Sequence, residues 1–267
     1  MALISTKQGR ERLILYGTTG TSKTHTHLTI ARWSARTWKN SPDQPHFHII
    51  DTDSAVLDQI EEEGWDLNNF TVYPAYEYPD YHSAFSQIRK SLRPDDWIIV
   101  DMLGEYWEAC QRYFSSEIYG QDIENYFILM RREMEKNNQR AKTEKDKQKQ
   151  FQPFEGWTDW PTINKMNKGF MDTLCLRSTC HILATSKADA INSKTESQTN
   201  LDVYERVGFK PQGQKYIGHY FRTIIFTQKL RNTWAMQSVK DRGRSDFNGE
   251  VKDFVISYLK GIAGWQI

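Results

Sequence analysis

LILYGTTGTSKTHTHLTIARW, residues 13–33, is the stretch whose reading decides the fold. It opens on an apolar run short enough to be a buried strand, RLILYG (12–17), and ends in a polar-apolar segment of helical length, Lys23 to Lys39. Between them the pattern G-x-x-x-x-G-K-[ST] is met at Gly17, Lys23 and Thr24, with Ser22 standing where the second glycine is usual. A turn from strand to helix N-terminus aims several backbone N–H groups inward, where the helix dipole also favours an anion. Gly17, Thr18, Thr19, Gly20, Thr21, Ser22, Lys23 and Thr24 are therefore the candidate phosphate cradle. Lys23 is expected to reach β and γ phosphates, and the Thr24 hydroxyl to bind Mg²⁺. Glycine serves such loops where φ is positive or a phosphate approaches closely; the Ser22 Cβ restricts either, and Gly20 supplies part of the freedom.

Further apolar runs of strand length follow at HFHIID (46–51), FTVYP (70–74), DWIIVD (96–101), HILATS (181–186), FRTIIFT (221–227) and TWAMQSV (233–239). Segments of helical length separate the early ones, at 54–63 and 81–91. Strands alternating with helices predict crossover connections, and hence an α/β fold with a mostly parallel sheet covered on both faces. The last two strands are joined by a short turn and predict an antiparallel hairpin at one edge. Two strands end in carboxylates. Asp101 closes DWIIVD in the manner of a Walker B residue holding Mg²⁺. Asp51 and Asp53 follow HFHII, where a carboxylate either orients water for attack on a γ phosphate or caps the next helix.

The 35 Lys+Arg against 34 Asp+Glu, a net charge of +1, give no field of one sign, so any polyanion binding must come from a local patch. The largest local surplus is RREMEKNNQRAKTEKDKQKQ (131–150), eight basic against four acidic side chains and almost nothing apolar, read as a charged insertion near 131–152 projecting into water. Residues 188–214, rich in Ser, Thr, Asn, Gln and Gly, are expected to form a mobile loop without structure of their own. Cys110, Cys175 and Cys180 form no C-x-x-C pair, which argues against a disulfide framework and a thiolate zinc site and fits a reducing, cytoplasmic setting. No run approaches ~20 apolar residues, so the expectation is a soluble, unprocessed chain without membrane contact. His46 and His48 share a strand face without a third ligand in view. His25 and His27, two apart, do not share a helical face. Trp157 and Trp160 are expected to anchor a helix begun by Pro161.

With these residues in place, the sequence resembles the RecA-like P-loop ATPases, in particular short phage-encoded versions from single-strand annealing and recombination systems. The resemblance runs from about residue 12 to about 245. It implies one RecA-like domain over 1–267, using ATP and Mg²⁺ and acting on single-stranded DNA in the cytoplasm, the host's if the chain is phage-encoded. On it, Asp53 in IIDTDSAVLD is the catalytic base, where the family usually has Glu, and Asp101 is the Walker B carboxylate. Ser186 or Lys187 in HILATSKAD senses the γ phosphate and leads to a DNA-binding loop. Lys240 and Arg242 in QSVKDRGR reach a neighbour's ATP in a homo-oligomer. Two other functions stay open: a small-molecule or nucleotide kinase with Arg131, Arg132 and Arg140 in a lid, and a non-hydrolysing nucleotide-binding assembly module.

Overall fold

The computed structural model describes residues 10–39, 41–64, 68–140, 154, 158–230, 233–242 and 250–251. Each predicted run forms a strand: β1 (Arg12–Gly17), β2 (Phe47–Asp51), β3 (Phe70–Pro74), β4 (Trp97–Asp101), β5 (His181–Ala190), β7 (Thr223–Leu230) and β8 (Thr233–Asp241). Two short strands, β6 (Phe209–Pro211) and β9 (Glu250–Val251), join them. The sheet order is β3-β2-β4-β5-β1-β7-β8-β9, with β6 paired to β5. The pairs from β3 to β7 are parallel, while β7–β8 is the expected antiparallel hairpin and β9 adds beyond it.

Alternation along the strands divides the core in two. Leu13, Leu15, Phe47, Ile49 and Ile99 pack with Leu28, Ile30 and Val56 of α1 (Lys23–Thr37) and α2 (Ala55–Glu63). Ile14, Tyr16, Ile50, Ile98 and Val100 face the other way. That side is covered by α3 (Tyr78–Ile88), α4 (Leu103–Tyr119) and α6 (Asp159–Met171). The result is the three-layer arrangement that strand–helix alternation predicts. Arg12 locks the start of β1 by donating to the carbonyls of Cys175, Ser178 and Cys180 at 2.6 Å each. The three cysteines are buried.

Helix α3 begins at Tyr78, three residues before the sequence reading placed it, because Glu77 and Asp80 exchange capping hydrogen bonds and Pro79 suits the first turn. The basic segment continues α5 (Ile123–Arg140), on which Arg131 and Arg132 are exposed as expected; 141–153 lie outside the described residues, as does Trp157. Trp160 does pack, edge-on to Phe154 and stacked with Trp107.

The stretch 188–214 corrects the expectation of a connection without structure. β5 runs on to Ala190 and pairs antiparallel with β6, and α7 (Gln198–Tyr204) lies between them. Its few apolar residues anchor it: Tyr204 packs edge-on to Tyr16, and Phe209 stacks on Phe226. Lys210 pairs with Glu196, which also accepts from Asn200 Nδ2 at 2.8 Å, so the polar residues satisfy one another. No helix of the described residues is long and apolar enough to cross a membrane.

Candidate nucleotide site

Parallel register brings the C-terminal strand ends together. Gly17 pairs with Lys187 of β5 and Thr227 of β7, and Asp51 pairs with Asp101. Gly17 is required by packing: a Cβ there would lie 2.2 Å from both the carbonyl and the hydroxyl oxygen of Thr227. The loop then turns through two left-handed residues, Gly20 (φ 74°) and Ser22 (φ 61°, ψ 29°). Ser22 therefore holds a backbone conformation that glycine adopts at no steric cost. The same device recurs where β2 meets α2, at Ser54 (φ 64°), and where β4 meets α4, at Met102 (φ 73°). All three strained residues stand at the N-cap of a helix beside the strand tips. Ser22 makes no side-chain cap hydrogen bond and the first turn of α1 holds no acidic residue, which leaves that helix end open to an anion.

Lys23 folds back over the loop, its Nζ 3.1 Å from the Gly17 carbonyl and 3.0 Å from that of Thr18. Burial lowers its pKa below the ordinary lysine value, against the opposing pull of Asp101 and Asp53. Thr21, almost fully buried, sits between the Thr18 carbonyl and the Thr227 hydroxyl, each at 2.8 Å, and ties the loop to β7.

Asp101 is fully buried, and three side chains donate to it. Thr24 Oγ1 reaches Oδ2 at 2.8 Å, His27 Nε2 reaches the same oxygen at 3.0 Å, and the Thr185 hydroxyl donates to Oδ1. Burial alone would raise its pKa; His27, Thr185 and Thr24 outweigh that and hold it below the ordinary carboxylate value. Asp51 lies at the neighbouring strand end. Burial, aided by the Asp101 and Asp53 charges, pushes its carboxyl up to about 6, against hydrogen bonds from the Asp53 and Val56 backbone. Those bonds make Asp51 the holder of the α2 start. Asp53 is exposed, lines the cavity, and accepts from Ala55 N–H at 3.2 Å.

One cavity of about 1000 Å³ joins these parts, lined by residues 19–26, Asp53, Met102 and Lys187. It continues along α1 past Thr29, Arg32 and Trp33 to Trp234 and Met236 of β8. The Trp234 indole donates to the Gly20 carbonyl at 3.2 Å, so the hairpin braces the loop. Lys187 is ion-paired with Glu105 at 2.6 Å, whereas Ser186 is buried with its hydroxyl 2.9 Å from the Gln212 carbonyl. Of the two sensor candidates, Lys187 is thus the one at the cavity.

Lys240 and Arg242 are not brought to this cavity. Lys240 pairs with Ile224, and Arg242 N–H donates to the Arg222 carbonyl, at the opposite ends of the parallel strands. Ile14, the partner of Ile224, lies three residue steps before Gly17, about 10 Å of strand. Lys240 is engaged, its Nζ 2.9 Å from the Gly218 carbonyl and 3.1 Å from that of Phe221, and burial pulls its pKa down to about 8. Arg242 is exposed.

Sequence reading gave no role to His27, Thr185 or Trp234. For His27 a signal was present: Thr24 and His27 are three apart, so they share the helix face that meets Asp101.

Thr24 Oγ1 and Asp101 Oδ2 suit a divalent cation. Both are hard oxygen donors, and their 2.8 Å separation approaches the edge, about 2.9 Å, of an octahedral shell with bonds of about 2.0–2.1 Å. Among the described residues no group of three or more His, Cys, Asp and Glu could hold a metal ion.

No family model and no curated protein matches the chain. Among solved structures it is similar to the RadB recombinase at 10% identity and a TM-score of 0.47, over 90% of this chain and 86% of that one.

Proposed function

We propose that the chain is a RecA-like P-loop ATPase that binds ATP with Mg²⁺, hydrolyses it, and acts on single-stranded DNA in recombination or replication. The observation that carries the nucleotide part is the meeting of Lys23, Thr24 and Asp53 with an uncapped helix end around one cavity at the C-terminal strand ends, with Asp101 buried directly behind Thr24. The loop amides and Lys23 hold the phosphates, Thr24 and Asp101 hold the metal, and Asp53 orients water. Trp33, Trp234 and Met236 offer an apolar end for the base. Bound Mg²⁺ supplies charge neutralisation on the phosphate oxygens. Lys187, which lines the cavity and is ion-paired with Glu105, is the γ-phosphate sensor in this reading. Action on DNA rests on the sequence resemblance; on α5 the exposed Arg131, Arg132 and Lys136 alternate with the exposed Glu133 and Glu135. In a homo-oligomer, the exposed Arg242 rather than the engaged Lys240 is the cation to reach a neighbour.

A non-hydrolysing module is the second reading, favoured by one observation: an Asp53 oxygen is committed to the Ala55 N–H. Phosphate release and nucleotide binding, with and without single-stranded DNA and beside Lys23→Ala, separate the functions. The expected result is hydrolysis stimulated by DNA and lost in Lys23→Ala. Binding without hydrolysis indicates the module, a required small acceptor indicates a kinase, and no binding at saturating ATP refutes the proposal.

A further inference from the structure

His27 has a place in this site that its exposure and bonding define. It is fully buried, one turn beyond Thr24 on α1. Helical side chains lean toward their own N-terminus, which carries the imidazole back toward the loop and the tip of β4. Nε2 lies 3.0 Å from Asp101 Oδ2, and because an ionised carboxylate only accepts, Nε2 carries the shared proton. Nδ1 is buried without a hydrogen-bond partner among the described residues, so the ring has one polar attachment, and it is to Asp101.

The remaining contacts of Asp101 are equally specific. Oδ1 takes the Thr185 hydroxyl, itself held by Met102 N–H at 2.9 Å, and Oδ2 takes both His27 and Thr24. A carboxylate oxygen has two lone-pair positions in its plane. With Thr185 on one oxygen and His27 on the other, rotating the carboxylate breaks at least one of these bonds. The second position on Oδ2 is taken by Thr24.

We propose that His27 is a positioning residue that fixes the orientation of the Asp101 carboxylate and so holds its oxygens in place beside Thr24 for a metal. This rests on the reading of the cavity as a Mg²⁺–nucleotide site. His27 itself touches neither metal nor nucleotide. Partners that orient a metal-holding carboxylate typically alter metal affinity by about 10–100-fold when removed.

The test compares His27→Gln, whose amide nitrogen can reach the Nε2 position, with His27→Leu, of similar bulk but without a donor. Mn²⁺ binding to the ADP-bound protein, followed by electron paramagnetic resonance, is expected to weaken about tenfold or more in His27→Leu and to stay within about threefold of wild type in His27→Gln. Metal-free ADP affinity is expected to be unchanged in both. Should His27→Leu not fold, His27→Asn, whose amide falls short of Asp101, takes its place with the same expected loss. Equal metal affinity in wild type and the donor-free variant overturns the proposal, as does an equal loss in His27→Gln. Nitrogen-15 imidazole spectra of the ligand-free protein supply a readout independent of ligand, with an Nε2-protonated resonance expected to vanish in His27→Gln. A wild type that binds no ADP refutes the underlying site and the metal role together, and those spectra then tell whether His27 still donates to Asp101.

Discussion

Replacing Ser22 by glycine should stabilise the protein, although it removes atoms and adds no contact. Ser22 sits at φ 61°, ψ 29°, and a residue with a Cβ pays about 1–2 kcal/mol there. Its side chain returns nothing as a helix cap. Glycine removes the strain but gives the unfolded chain more freedom, an opposing effect of about 0.5–1 kcal/mol. The expected net gain is about 0.5–1 kcal/mol, an upward Tm shift of about 1–4 °C for a chain of this size. Gly20 is the matched control. At φ 74°, a Cβ there would meet nothing within 4 Å, so Gly20→Ala adds strain without a clash and should lower stability by a similar amount. Urea unfolding measures both, with the midpoint moving and the slope unchanged. A Ser22→Gly variant less stable than wild type would show that the hydroxyl does something the contacts above do not include. A neutral Gly20→Ala would show that loop strain is not what separates these residues.

Two further outcomes follow from the site. The Asp51 carboxyl is raised to about 6 from an ordinary 3.8, so the folded state favours its protonated form; this stabilisation is complete below about pH 3.8 and is lost as pH rises through about 6. Asp51→Asn should therefore match wild type near pH 4 and exceed it by about 1–3 kcal/mol at pH 7 in paired urea titrations, and a pH-independent difference would contradict the assigned cause. Lys240→Met should cost about 1–3 kcal/mol through the unbonded Gly218 and Phe221 carbonyls, while Arg242→Ala stays within about 0.5 kcal/mol of wild type. If a neighbour's Arg242 assists hydrolysis, specific activity rises with protein concentration in wild type and not in Arg242→Ala; a flat wild-type profile removes the trans role.

The sequence by itself determined the strands, the first turn and the layers. Apolar runs of strand length alternate with helical segments, and burial of each strand's two faces follows from its own side chains. Gly17, Lys23, Thr24, Asp53 and Asp101 were legible because each lies at a strand end or in a motif of fixed local spacing. Only the tertiary structure decided what depends on which strands become neighbours. Parallel strands are joined by crossovers that do not dictate their order, so nothing local says that β5 lies between β1 and β4 and brings Thr185 to Asp101. For the same reason Lys240 and Arg242, close in sequence to the Trp234 that braces the loop, fall at the far end, because an antiparallel strand carries successive residues away from the site. Residues 188–214 looked unstructured because their anchors, Tyr204 and Phe209, find partners on β1 and β7, far off in sequence. The left-handed turn of Ser22 likewise sits between two points set by the tertiary structure: Gly17 is pressed on Thr227, and Lys23 opens a helix packed on the sheet.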